Sequence, residues 1–249
     1  TVTTTGTCVQ TTATGTITVN PNAAITLTSA AGTDAQTVCE NTSITNITYS
    51  ITGGGTGAGA TGLPTGVTGS YSGGIFTISG TPTVTGTFNY TVTTTGTCVQ
   101  TTATGTITVN PNAAITLTSA AGTDAQAVCE NTAITTITYS ITGGGTGANA
   151  TGLPTGVTGS YSAGTFTISG TPTTTGTFNY TVTTTGTCAQ TNATGSIIVN
   201  PLPVIDSIPF TNESSCGAND GTITIYANGS GLSYSINGGT SFFATNSFV

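Results

Sequence analysis

The sequence predicts an all-β protein built from tandem sandwich domains, and three observations carry that expectation. Threonine fills 68 of the 249 positions, and apolar residues, 35% of the chain, alternate with it at the period-two spacing of strands. No stretch repeats its apolar residues at helical spacing over the length of a helix. The whole pattern recurs with a period of 90 residues.

The repeat sets the organisation. Thr1–Asn20 recurs unchanged as Thr91–Asn110 and, slightly edited, as Thr181–Asn200. Residues 21–110 and 111–200 differ at 11 of 90 positions, among them Ser43/Ala133, Asn46/Thr136, Ile75/Thr165 and Thr108/Ile198. Solenoid units run to about 20–50 residues, whereas a sandwich domain needs about 100. Asn20-Pro21, Asn110-Pro111 and Asn200-Pro201 punctuate the repeats. A residue before proline is pushed to extended geometry, so each pair reads as a short, stiff linker. Four pieces result: the closing strands of a truncated repeat (1–20), two complete repeats (21–110 and 111–200), and the opening part of a different domain (201–249). Such a chain reads as part of a much longer tandem-repeat polypeptide.

Within the first complete repeat, Ile25 and Leu27 mark a strand, and Ile47, Tyr49 and Ile51 a stronger one closed by Gly53-Gly54-Gly55. Leu63-Pro64 and Val67–Tyr71 give weaker middle strands. Phe76 and Ile78 mark the next, ending at Gly80-Thr81-Pro82; Phe88, Tyr90 and Val92 form another, and Ile107 and Val109 the last. Six or seven strands with Gly/Pro turns predict immunoglobulin-like or cadherin-like sandwiches in a linear array.

Composition excludes several function classes. Lys, Arg and His are absent, and seven acids give a net charge of −7. Nucleic-acid binding needs cations to replace phosphate counterions, and an anionic membrane surface needs them too. A Ser-His-Asp triad, a Schiff base, a P-loop lysine and a histidine-ligated metal all lack their residues. No run approaches the 18 or so apolar residues of a membrane helix. No enzyme is expected. Gly53–Gly57 and Gly143–Gly147 lack a following lysine or helix, so they read as flexible turns rather than phosphate cradles. Tyr49 and Tyr90 alternate with core positions, while Tyr71 is the tyrosine of the repeat more open to a surface role.

The runs Gly62–Val67, Gly74–Pro82 and Gly86–Val92, matched in the second repeat at Leu153-Pro154, Gly170-Thr171-Pro172 and Phe178–Val182, resemble the Ig-like repeats of bacterial surface proteins. In the last 49 residues, Cys216–Ile223 followed by Leu232–Gly239 resembles the SprB-type repeat of the gliding-motility adhesins of Bacteroidota. Together the two resemblances cover nearly the whole chain. They imply a structural stalk segment of a giant surface adhesin, exported by type IX secretion and carried by the gliding machinery through regions outside this chain. Its localisation would be extracellular, at a cell surface, with anchoring to the outer membrane through other regions. Its partners would be neighbouring domains of the same chain and, at a distal tip, external surfaces or polysaccharide. A polysaccharide-binding repeat and an accessory region of a large secreted enzyme are the alternatives.

The six cysteines are Cys8, Cys39, Cys98, Cys129, Cys188 and Cys216. With no histidine and no C-x-x-C they read as disulfides of an oxidising compartment rather than zinc ligands. One pairing is Cys39–Cys98 and Cys129–Cys188, inside each repeat. Strand order leans to another. Cys98 lies at the tip of the last hairpin, at the N-terminal pole of its domain, and Cys39 follows the first strand, at the C-terminal pole. A bridge needs Cα atoms within about 7 Å. Cys39–Cys188 between successive repeats satisfies that order and leaves the other four to partners elsewhere. Cys98–Cys129 across the Asn-Pro linker is a third option.

The acids Asp34, Glu40, Asp124, Glu130, Asp206, Glu213 and Asp220 are too scattered for paired-carboxylate catalysis. Calcium is the one cofactor they could take, best near Asp206, Glu213 and Asp220. Solvated turn residues are the simpler reading. Asp206-Ser207-Ile208 matches the short Asp-Ser/Thr-apolar signal for O-glycosylation in Bacteroidota, which nominates Ser207.

Overall fold

The computed structural model describes residues 1–229 and 231–249. They fall into two compact units, Thr1–Asn112 and Ala113–Val249.

The first unit opens with two short strands, β1 (Val2–Thr3) and β2 (Thr12–Ala13), paired antiparallel. Eight strands follow: β3 (Ala23–Leu27), β4 (Ala35–Cys39), β5 (Ile47–Gly53), β6 (Gly55–Thr61), β7 (Val67–Ser72), β8 (Ile75–Gly80), β9 (Gly86–Gly96) and β10 (Thr102–Asn110). They form two four-stranded sheets, ordered β3-β5-β8-β7 and β4-β10-β9-β6. Every pairing is antiparallel except β4 with β10. This is the strand order of an Ig sandwich, with the first strand split between the sheets. The split has a side-chain cause. Gln36 on β4 donates from Nε2 to the carbonyls of Thr33 and Thr45 and accepts the Thr45 N–H on Oε1. That clamp fixes where the chain changes sheets.

The core follows the period-two reading. Ile47, Tyr49, Ile51, Phe76, Ile78, Tyr90, Val92, Ile107 and Val109 are buried between the sheets, and threonines occupy most alternate positions on the outside. The Tyr49 and Tyr90 hydroxyls share a buried hydrogen bond of 2.9 Å, and Tyr90 Oη lies 3.5 Å from the Asp34 carbonyl. β5 and β9 correspond to the two strands that a disulfide joins in antibody domains. Here a tyrosine pair ties the sheets instead. Tyr71 packs against the edge of this core but is only half-buried, more open than Tyr49 and Tyr90. Gly53-Gly54-Gly55 is a tight junction between sheets rather than a flexible turn. Gly53 has φ of 65°, and side chains at Gly53 and Gly54 would strike the carbonyls of Asn22 and Pro21.

Burial pushes the Tyr49 hydroxyl above its ordinary pKa, and the Tyr90 hydroxyl further, where its bond to Tyr49 adds to burial. Tyr139 and Tyr180 behave alike. An unfolded tyrosine ionises near pH ~10. Because the folded pKa is raised, these residues stabilise the fold fully below about pH 10, and that contribution is lost as pH rises beyond it. Alkaline unfolding is therefore expected to coincide with ionisation of these four tyrosines, followed by tyrosinate absorbance and far-ultraviolet circular dichroism together. Ionisation of all four with the dichroism still native would contradict the tyrosine tie.

The second unit repeats the sandwich with β11 (Ala113–Leu117), β12 (Ala125–Cys129), β13 (Ile137–Gly143), β14 (Gly145–Thr151), β15 (Val157–Ser162), β16 (Thr165–Gly170), β17 (Gly176–Gly186) and β18 (Asn192–Asn200). The sheet orders are β11-β13-β16-β15 and β12-β18-β17-β14, and Tyr139 and Tyr180 bond at 3.0 Å. None of the 11 differences between the repeats falls on a buried residue, which is why both keep one core.

Residues 201–249 carry β19 (Val204–Ser207), β20 (Phe210–Thr211), β21 (Thr222–Thr224), β22 (Tyr226–Asn228) and β23 (Ser247–Phe248). β19 pairs with β22 and β20 with β21, so the two halves make one interrupted hairpin, while β23 pairs with β21. Phe243 and Phe248 meet edge to face at 5.5 Å. Ile205 and Phe210 stay exposed.

Candidate functional site

In the complete repeats, the cysteines occupy two kinds of turn, and the sandwich places those turns at opposite ends. The first is the β9–β10 hairpin, which carries Cys98. Thr94 is buried there. Its hydroxyl donates to Gln100 Oε1 at 2.8 Å and accepts the Thr101 N–H at 2.9 Å. Gln100 Nε2 then donates to the Cys98 carbonyl. The Val99 carbonyl accepts the Ala23 N–H, pinning the hairpin tip to the start of β3. Thr184, Gln190, Cys188 and Ala113 repeat the arrangement in the second unit. Gln10 grips the Cys8 carbonyl in the same way although no sandwich surrounds it. The clamp is therefore local, and it fixes the backbone of each hairpin cysteine. Sequence reasoning passed over these glutamines; their signal is the Thr-x5-Gln spacing around each hairpin cysteine.

The second turn follows β4. Cys39 is in register with Asn110, and the Glu40 N–H bonds to the Asn110 carbonyl at 2.9 Å. The Thr42 N–H returns to the Cys39 carbonyl, and Asn41 takes φ of 62°, a conformation Asn tolerates. Cys129, Asn131 and Asn200 repeat the turn in the second unit. Cys98 thus sits beside the start of β10 and Cys39 level with its end. Nine residues of strand separate them, roughly 27 Å, far beyond the ~7 Å of a disulfide.

The redox states agree with this placement. Cys39 and Cys188 are disulfide-bonded. Cys98, Cys129, Cys8 and Cys216 are free thiols among the described residues. Among the described residues, neither a bridge inside a repeat nor one from Cys98 to Cys129 is formed.

The acidic residues take part in the turns and ties of the fold, four of them through the backbone and three through the carboxylate. Asp34 and Asp124 contribute backbone carbonyls to the tyrosine ties. Glu40 and Glu130 sit in the cysteine turns. Glu213 accepts the Gly217 N–H and Asp220 the Ser214 N–H, so both brace the turn carrying Cys216. Bonds from Ser214 hold the Asp220 carboxyl below the usual carboxylate range. Asp206 accepts from the Asn228 side chain at 2.7 Å. Among the described residues no three His, Cys, Asp or Glu side chains converge as a metal site would require. Ser207 ends β19 and is exposed. A shallow cleft of about 350 Å3 lies between Ile205, Ile225, Leu232 and Tyr234.

Solved structures share this fold at low identity. A three-domain titin fragment, I67–I69 in an E-to-A variant, matches with a TM-score of 0.55 at 9% identity, over 85% of this chain and 77% of that one. The I-band fragment I67–I69 matches at 0.53 and 9%, over 78% and 73%. The N-terminal eight Ig domains of the Down syndrome cell adhesion molecule match at 0.50 and 12%, over 87% of this chain and 28% of that one. No protein-family model matches the chain, and no curated protein matches it. The class is nevertheless plain: an all-β protein of tandem Ig-like sandwiches.

Proposed function

We propose that the chain is a structural stalk segment of a giant cell-surface adhesin used in gliding motility, and that Cys39 and Cys188 are joined to each other across successive repeats. The carrying observation is the selective redox pattern. Cys39 and Cys188 are oxidised, while the within-repeat counterpart of each is a thiol. A disulfide fits an oxidising, extracellular setting. Near-identical repeats whose differences stay off the core suit spacers more than dedicated binding domains. The resemblance of Cys216–Ile223 and Leu232–Gly239 to the SprB-type repeat supports a gliding adhesin exported by type IX secretion.

The mechanism is mechanical. Sandwiches held by strand ladders and tyrosine ties transmit tension, and the bridge carries it from one repeat to the next. Beads coated with antibody against residues 21–200 are expected to attach to living source cells and travel along them. Beads that attach and stay still would overturn the gliding role, and beads that never attach would overturn surface exposure.

A further inference from the structure

We propose that β6 is a self-association edge, on which two copies of this chain pair antiparallel about a two-fold axis and join their sheets. β6 closes the sheet β4-β10-β9-β6, and it is bonded to β9 on one side only. On its other side, the backbone groups of Gly57–Thr61 have no backbone partner among the described residues. An edge of this kind is a template for another strand, and proteins normally blunt it with charge, above all lysine, or with proline.

The two edges of this sheet are treated differently. β4 is flanked by Asp34 and Glu40, two of the seven acids of the chain. From Asn41 to Thr123 there is no Asp, Glu, Lys, Arg or His. β6 lies inside that neutral stretch and reads Gly-Thr-Gly-Ala-Gly-Ala-Thr, without charge or proline. A register shift between Gly55 and Gly57 confines the regular edge to Gly57–Thr61. Gly59 faces open space on its face of the sheet, with nothing within 4 Å of a side chain placed there, so a residue introduced there leaves the sandwich's own packing untouched. The second repeat differs here, with Asn149 in place of Gly59 on β14.

The partner fitted by a bare, neutral, glycine-rich edge is the same edge of another copy. Antiparallel pairing about a two-fold axis puts one patch against itself and closes the assembly as a dimer. No like charges oppose one another across the axis. Five residues a side make a weak contact, suited to chains already crowded side by side.

The test is sedimentation equilibrium of the full chain with its free thiols alkylated, which removes intermolecular disulfides. The weight-average mass is expected to rise with concentration from 24.2 kDa toward twice that value. Gly59→Lys, and independently Thr61→Lys, should hold it at the monomer mass with native dichroism. Ser70→Lys, on the neighbouring edge strand β7, should leave association intact. A wild-type chain that stays monomeric at every concentration would overturn the proposal. So would Gly59→Lys associating like wild type, which would assign the contact to the exposed apolar residues of the two ends, or Ser70→Lys abolishing it.

Discussion

Gly105→Ala is expected to destabilise the first sandwich by roughly 3 kcal/mol, enough to lower its melting temperature by about 12–24 °C. Gly105 lies on β10 opposite Tyr90. A β-carbon there would sit well inside contact distance of Tyr90 Oη and of the Asp34 carbonyl. Neither can yield cheaply. Tyr90 is fully buried and bonded to Tyr49, and the Asp34 carbonyl accepts the Thr106 N–H at 2.7 Å where β4 joins β10. One methyl group therefore strains the core and separates two hydroxyls that have no water to turn to. Gly195→Ala should act alike in the second unit, where the added carbon meets Tyr180 and Asp124. Gly59→Ala is the control, since its side chain would enter open space. Calorimetry decides: a Gly105→Ala chain that melts like Gly59→Ala would remove the tyrosine pair from its place as the tie between sheets.

The second large effect concerns the bridge. In the proposed pairing, closing about 150 residues between Cys39 and Cys188 would contribute on the order of 5 kcal/mol against complete unfolding in the chain-entropy picture. Cys39→Ser is expected to remove it while leaving both sandwiches folded, because Cys39 lies outside the first core. The linkage itself can be read by peptide mapping. Trypsin finds no Lys or Arg to cleave after, so chymotrypsin, which cuts beside Tyr and Phe, is the suitable enzyme. The unreduced digest should contain one linked pair, Cys39 with Cys188, and four alkylated thiols. A Cys39–Cys98 or Cys129–Cys188 peptide would contradict the pairing.

Much of this fold was legible because its core strands follow one rule. On β5, β8, β9 and β10 most inward residues are Ile, Tyr, Phe or Val, and most of the outward ones are Thr. The outer strands break that rule. β4 turns Gln36 and Val38 inward, and β6 has only glycine, alanine and threonine, so neither shows the apolar alternation. Leu63-Pro64 looked like a strand but forms a turn, with the Val67 N–H on the Pro64 carbonyl. The sharpest lesson comes from one sequence in two settings. Thr91–Gly96 and Thr102–Asn110 lie in long strands that bury Val92 and Ile107 completely. The identical Thr1–Asn20 forms only two-residue strands and leaves Val2 and Ile17 exposed. Local propensity is the same in both; the facing sheet makes the difference. For the cysteine turns, strand order was enough to separate the two poles. The glutamine clamps were not visible, because a polar residue that bonds to its own hairpin leaves no hydrophobic pattern.

Pulling the chain by its two ends tests the central claim most directly. With Cys39 joined to Cys188, tension bypasses nearly everything between them, and only the segments outside the bridge can be drawn out. Adding a reductant frees the sheltered residues. The account predicts that the fully extended reduced chain is longer than the oxidised one by roughly 500 Å, because the residues between the two cysteines are drawn out only after reduction. Equal extensions with and without reductant would show that the repeats carry the load unbridged and would contradict the disulfide-braced stalk.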